Sequence, residues 1–473
     1  MIQVRTFFAC LVLLCLRATA QDADTRVLTL EACIERALEH NLDLKSSELQ
    51  AETAQVNYKI ALNRLMPNVN GDYSLGVNDG RSIDPFTNAY INEKFTFSNL
   101  GLNLNAVVFN GFRQLNTLKQ NRLSLEAADM ELEAARQTLV LRVTLAFLKV
   151  LNAREMVRLT VARTAATEGQ LDRLQALYEQ QLGNPAEYRD LQGQYSNDRA
   201  TLIQAGNTLK AAVFELEGLL NTEQPIDPES MGLLIDFEPY AYSAEQVYDQ
   251  ALEKLASLQA SRLRLEAARK GVAAARGQFT PEFSVFAGLS TNYSSLARLF
   301  DESGTRITET GDFVNVGGQN YPVQSEVTDF EAREIAYWDQ FDNNRSTFYG
   351  VSASIPIFNG FRAHNNLRLE KIRREQAKAE LDQAELQFHQ SIRAAHSDME
   401  TALERFHVLE EQVAAYEESF RINEIRFING VSNSTEYIVS KNNLDNARIS
   451  LANVRFEYVL RVRVLEYYRG EAL

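Results

Sequence analysis

The residues whose types could do chemistry are few. His389 and His396 lie seven apart on one face of a helical pattern, with His407 beyond. A metal site takes ligands at i and i+4 or from separate elements, and no cysteine or carboxylate completes one here, so these read as solvated histidines. Glu187-Tyr188 and Glu436-Tyr437 form a repeated acid–aromatic pair, 249 residues apart. No Gly-rich phosphate loop, nucleophile elbow, Ser/His/Asp set or paired-acid arrangement stands out among the many surface acids. No catalytic residue, metal or cofactor is expected, and an enzyme is not the reading.

The elements that must position the repeated acids are themselves repeated. Phe109-Asn110-Gly111-Phe112-Arg113 recurs as Phe358-Asn359-Gly360-Phe361-Arg362, and the 249-residue offset continues downstream, with Asn197 on Asn446 and Arg199 on Arg448. Upstream the offset is 214 residues, with Ala37-Leu38 on Ala251-Leu252 and Pro67 on Pro281. The second copy therefore carries about 35 extra residues between its proline and its Asn-Gly pair. Asn-Gly marks a sharp redirection, since glycine accepts positive φ.

Taken in order, residues 28–65 have helical spacing, and Pro67 stops them. Residues 69–77 and 100–108 alternate apolar against Asn, Ser, Asp and Gly, as strands do. After Asn110-Gly111, Leu118, Leu125, Leu132, Leu139, Ala146 and Ala153 recur every seven residues, predicting a helix on the order of 100 Å long. It breaks at residues 183–185, and a second helix returns to about Leu220. The second copy repeats this order: helix to Pro281, strand 283–291, a long polar loop over 294–345 holding the only tryptophan, Trp338, then strand 349–357 and Asn359-Gly360. A helix to about Ile428, a turn at 430–433 and a last helix to about Tyr468 complete it. The domain reading is a first repeat over 21–220 with its hairpin at 68–109, a proline-bearing linker at 221–242, and a second repeat over 243–473 with its hairpin at 282–358.

Residues 1–20 combine Arg5, an apolar run and Ala18-Thr19-Ala20, which reads as a secretory signal. The run is too short to span a bilayer as a helix, and no later segment is uniformly apolar for that length. The chain is therefore exported and either soluble or membrane-crossing as strands. Removing the signal leaves one cysteine, Cys33, and shifts the net charge from −15 to −17. Nucleic acid is not an expected partner of so acidic a chain.

Four strands of about nine to eleven residues, each with one apolar and one polar face, fit a membrane barrel. They also fit a soluble sandwich with its apolar faces together. The Asn/Ser/Gly character of the polar faces suits a wet lumen better than an outer surface. Four strands cannot close a barrel and an open edge cannot face lipid, so a membrane sheet would be shared between chains. Phe95, Phe97, Tyr293, Phe348 and Tyr349, near the outer strand ends, are candidates for an interfacial girdle.

The leader, the opening Leu28-Thr29-Leu30-Glu31-Ala32 with Ala37-Leu38-Glu39-His40-Asn41, the two helix-ending prolines and the duplicated Phe-Asn-Gly-Phe-Arg together resemble TolC-type outer-membrane efflux proteins over essentially the whole mature chain. The resemblance implies a mainly α fold with a membrane β part: internally duplicated, with long antiparallel helices in a trimeric α-barrel continuous with a shared twelve-stranded transmembrane β-barrel, four strands per chain. It implies a passive exit duct of a tripartite efflux or type I secretion system in the Gram-negative outer membrane, touching outer-membrane lipid. Its partners would be a periplasmic adaptor and an inner-membrane pump or ABC exporter. A periplasmic coiled-coil adaptor or scaffold is the alternative. By the same resemblance Gln181, Leu182 and Gly183, and Gly430, Val431 and Ser432, are adaptor-contact turns, with Gln181 standing where glycine is usual. Glu436 and its counterpart Glu187 are candidates for the acidic periplasmic mouth, and Val439 stands where a second acid would lie. Asn110-Gly111 and Asn359-Gly360 are the strand-to-helix hinges, and Pro67 and Pro281 the helix-to-strand breaks.

Overall fold

The computed structural model describes residues 28–84, 88–182, 184–222, 225–231 and 239–471; the export signal expected at 1–20 lies outside them. Contacts divide the chain into two compact units. One comprises residues up to 55, 123–265 and 376–473, and the other residues 56–122 and 266–375.

The first unit is helical. The opening stretch is not one helix but two, α1 (Leu30–His40) and α2 (Leu42–Asn63), separated by Asn41. The Asn41 side chain accounts for the break: its Oδ1 accepts from Leu44 N–H at 3.1 Å and its Nδ2 donates to Leu219 O at 3.0 Å. It thereby satisfies groups that a helix end leaves open. The second copy breaks at the equivalent position, Leu255, between α5 (Ala244–Lys254) and α6 (Ala256–Arg276). Leucine cannot cap, and there Arg262 and Gln259 donate to the carbonyls of Leu252 and Glu253 instead.

The long elements are α3 (Arg113–Glu179), α4 (Pro185–Leu220), α8 (Arg362–Ile428) and α9 (Ser434–Tyr468). Leu139, Ala146 and Ala153 of the seven-residue row enter one buried core with Cys33, Ala37, Leu216 and Leu220. Met231, inside the expected 221–242 linker, joins the same core, and its backbone pairs with that of Leu28, so part of that segment is packed. Burial pushes the Cys33 thiol up to about 11, which makes it an inert core residue. Among the described residues no helix is long and apolar enough to cross a membrane.

The second unit holds an antiparallel four-stranded sheet in the order β1-β4-β5-β8, from β1 (Asn68–Asn78), β4 (Phe95–Phe109), β5 (Glu282–Ser294) and β8 (Ser346–Ser354). The β1–β4 connection pairs β2 (Arg81–Ile83) with β3 (Tyr90–Asn92). The register sorts the sheet into two faces. One carries Val69, Tyr73, Leu75, Leu100, Leu102, Leu104, Leu289 and Val351; the other carries Asn70, Ser74, Asn99, Asn103, Asn105, Ser284, Ser290 and Ser352. Among the described residues, none covers most of the apolar face: Leu75 is 62 % and Val351 72 % exposed.

Two expectations need correction. The five candidate girdle aromatics do not share a face. Tyr293 and Tyr349 lie with the leucines, but Phe95, Phe97 and Phe348 lie with the asparagines. Phe348 lies across Gly288, where an added Cβ would sit 2.2 Å from its ring, so a strand glycine and a cross-strand aromatic fill one another's space. The 294–345 stretch is also no loop. It folds as a ribbon of β6 (Arg298–Val316) and β7 (Gln319–Glu334) turning at Gly317-Gly318, followed by the short helix α7 (Tyr337–Asn343). Gly-Gly between two extended runs is a hairpin signal, here masked by strands that mix polar and apolar residues on both faces.

Each strand-to-helix hinge uses the same backbone. Gly111 and Phe112 have φ of 64° and 60°, and Gly360 and Phe361 repeat both values. Asn110 Oδ1 accepts from Gln114 N–H, and Asn359 Oδ1 from Ala363 N–H, starting α3 and α8.

Candidate functional site

The two helix-to-helix turns close in the same way. At the end of α3, Gln181 N–H donates to Tyr178 O and Leu182 N–H to Leu177 O, both at 3.0 Å. At the end of α8, Gly430 N–H donates to Phe427 O at 3.1 Å and Val431 N–H to Arg426 O at 2.8 Å. Both are Schellman closures, which put one residue in the left-handed region. Gly430 (φ 71°) enters it freely, whereas Gln181 (φ 59°) does so against a steric penalty of about 1–2 kcal/mol. Leu182, Val431 and Gln181 are exposed, Ser432 is half-buried, and Gly183 lies outside the described residues.

Beyond each turn an asparagine caps the next helix. Asn184 Oδ1 accepts from Ala186 N–H, and Asn433 Oδ1 from Glu436 N–H at 2.9 Å. Glu187 and Glu436 thus occupy the first turns of α4 and α9, where the positive helix end favours a carboxylate. Glu436 is exposed and Glu187 half-buried. The elements bearing the two acids are drawn together by a small core of Leu171, Leu174, Leu191, Phe427 and Tyr437. Ser434 Oγ also donates to Asp190 Oδ2 at 3.4 Å, and Arg173 to Ile428 O at 2.6 Å. Burial, then the Glu424, Asp445 and Asp198 carboxylates, push the Tyr437 hydroxyl above its ordinary value. Val439 is exposed beside Glu436 on the same helix.

Residues 33–222 and 247–470 match the model of the outer membrane efflux protein family. The chain belongs to that family. It is similar to the outer membrane protein TolC of Escherichia coli K12, 22 % identical over 430 residues, 89 % of this chain and 78 % of that one. It is likewise similar to the outer membrane efflux protein BepC of Brucella suis, 23 % identical over 374 residues, 79 % of this chain and 70 % of that one. Among solved structures, the Campylobacter jejuni CmeC outer membrane channel superposes with a TM-score of 0.75 at 15 % identity, covering 93 % of this chain and 85 % of that one. The Vibrio cholerae outer membrane protein VceC gives 0.74 at 16 %, covering 93 % and 96 %. The protein is a TolC-type efflux channel of the Gram-negative outer membrane, in a family of channel proteins rather than enzymes. The adaptor alternative is not favoured.

This efflux channel also holds a buried ionic cluster that sequence patterns do not reveal. Arg163 of α3 donates to Asp198 of α4 at 2.8 Å and to Asn442 of α9 at 2.9 Å. Lys441 of α9 lies 2.7 Å from Asp445 and 3.5 Å from Asp198, which also accepts from Thr167 Oγ1 at 2.6 Å and from Gln194 Nε2 at 2.7 Å. The Asp198 and Lys441 side chains are 0 % and 3 % exposed. Two cations and two carboxylates balance in a low-dielectric site, so each needs its partners. Lys441 and Asp445, at i and i+4, look like an ordinary surface pair in sequence; only folding brings Arg163 and Asp198 to them.

The histidines stay apart. His389 faces Glu245, His396 faces Glu400 and Tyr242 O, and His407 faces Glu410. Among the described residues no three His, Cys, Asp or Glu side chains gather as a metal site would require.

Proposed function

We propose that three copies of this chain share one twelve-stranded barrel and act as the passive exit duct of a tripartite efflux or type I secretion system. The observation that carries this reading is the sheet itself, with open edges at β1 and β8, an uncovered apolar face and an Asn/Ser/Gly face. Unpaired backbone groups at those edges are too costly in hydrocarbon, and pairing with sister copies removes them. The apolar face then meets outer-membrane lipid and the polar face lines water. A periplasmic adaptor and an inner-membrane pump or ABC exporter supply energy and substrate, and the duct needs no cofactor. Residues 1–20 serve as the export signal, and 221–242 link the repeats.

In this reading the two Schellman turns dock the adaptor, with Leu182 and Val431 as their exposed apolar tips. Glu436 forms a ring of carboxylates at the periplasmic mouth and favours cations there, with Glu187 behind it. Pro67, Pro281 and the two Asn-Gly hinges make the passages between helix and strand. Planar-bilayer conductance of Glu436→Ala tests the mouth: reduced cation selectivity and weaker divalent block are expected, and unchanged current and block remove the assignment.

A further inference from the structure

Helix α7 lies where neither a loop nor a lumen plug would be. Tyr337 packs on Tyr293 with ring centroids 4.7 Å apart, and its hydroxyl is 2.9 Å from Ser98 Oγ and 3.4 Å from Tyr73 Oη. Thr291 Oγ1 donates to Phe341 O at 2.6 Å. Tyr73, Ser98, Thr291 and Tyr293 all belong to the apolar face, so α7 lies on that face at the end of the sheet away from the hinges. It is held rigidly. Gln340, 1 % exposed, accepts from Ser294 N–H and donates to the carbonyls of Ser294 and Ile335, while Asn344 donates to Asn292 O.

This fixed helix presents Trp338. Its ring stands edge-on to Tyr337 at 5.3 Å and to Phe341 at 5.8 Å, yet it is 76 % exposed. A large aromatic held outward by a fully satisfied support is not a packing residue. Tyr73, Leu75 and Leu100 of the same face are exposed as well, and Asp339 and Asp342 give the helix a polar side. An apolar body with an indole N–H suits the boundary between acyl chains and headgroups.

We infer that α7 is an interfacial anchor that seats Trp338 in the outer-leaflet lipid at the headgroup–acyl boundary. The inference rests on the reading that the apolar strand face meets lipid. It also gives the second repeat's extra residues a role: they carry an aromatic group that the strands place on the wrong face at Phe95, Phe97 and Phe348.

Trp338 is the only tryptophan, so its fluorescence reports on this site alone. The purified oligomer is placed in lipid nanodiscs carrying a spin label at the headgroup or deep in the acyl chains, with aqueous iodide as the third quencher. A blue-shifted emission, quenched most by the headgroup label and least by iodide, is expected. Dominant iodide quenching, or protection from all three, overturns the inference. A second protein, Trp338→Phe with Leu102→Trp, separates the two readings, because Leu102 lies mid-face. Deep-label quenching there with iodide quenching at Trp338 sinks the anchor and leaves the barrel standing. Iodide quenching at both positions sinks the barrel reading as well.

Discussion

The two hinges have the same sequence and backbone but different surroundings. A Cβ on Gly111 would sit 1.8 Å from Thr280 Oγ1, and Arg113 beyond it pairs with Glu282 at 2.7 Å. A Cβ on Gly360 would meet nothing within 4 Å. The first hinge follows an interior strand and packs on the entrance to β5, whereas the second follows β8, which has no neighbour on its outer side. A glycine kept for close approach at one junction is therefore matched by one facing empty space at the other. The repeat says what should fill that space. Thr280 precedes β5 as Met66 precedes β1, so in a shared barrel Met66 of the next copy would stand over Gly360. One junction is complete within a chain, and in the proposed barrel the other is completed by assembly.

The largest expected effect is at the complete junction. Gly111→Ala should abolish folded oligomer, measured as SDS-resistant trimer in outer-membrane fractions, and adding Thr280→Gly should restore part of it. Gly360→Ala breaks or sharpens the comparison. In a free-standing chain it costs about 1 kcal/mol, the price of positive φ. In a shared barrel it should lose trimer nearly as severely as Gly111→Ala and be rescued by Met66→Gly.

The helical unit offers a second contact complete within one chain. Asp198→Ala leaves Arg163 and Lys441 to share Asp445 alone, an unbalanced buried positive charge, and should destabilise by about 3–5 kcal/mol. Removing Glu417 from its exposed pair with Arg448 should cost at most about 1 kcal/mol. Urea unfolding of the two variants side by side measures the gap. A small effect is expected at the turns: Gln181→Gly should stabilise by roughly 1 kcal/mol, since only glycine enters that φ freely, while Gly430→Gln should lose a similar amount.

Much of this was legible in sequence because duplication supplies two readings of each element. The seven-residue row located α3, the alternation located the four strands, and Asn-Gly located both hinges. Asn41 gives no sequence signal of a helix break, because a capping side chain leaves helical periodicity undisturbed on either side. The β6–β7 ribbon leaves only Gly317-Gly318 as a cue, because strands with polar and apolar residues on both faces carry no facial signal. Three of the five girdle candidates lie on the other face, and a Phe on a strand can pack over a cross-strand glycine as readily as face lipid, as Phe97 does over Gly76 and Phe348 over Gly288. Of the proposed mouth, Glu436 and Glu187 show in the sequence only as repeated letters. The ionic cluster had no local signature, since its four charges come from three helices.

The most direct test joins the two open edges. Ser352 occupies the place of Asn103 in the repeat and Ser74 the place of Gly288, and Asn103 faces Gly288 across β4 and β5. A shared barrel would therefore set Ser352 of one copy opposite Ser74 of the next. In a Cys33→Ser background, Ser74→Cys with Ser352→Cys should form disulfide-linked dimers and trimers on a non-reducing gel of outer membranes, whereas Gly71→Cys with Ser352→Cys should not. A chain that stays monomeric with both cysteines free, or that cross-links equally in both pairs, would contradict a barrel built from sister copies.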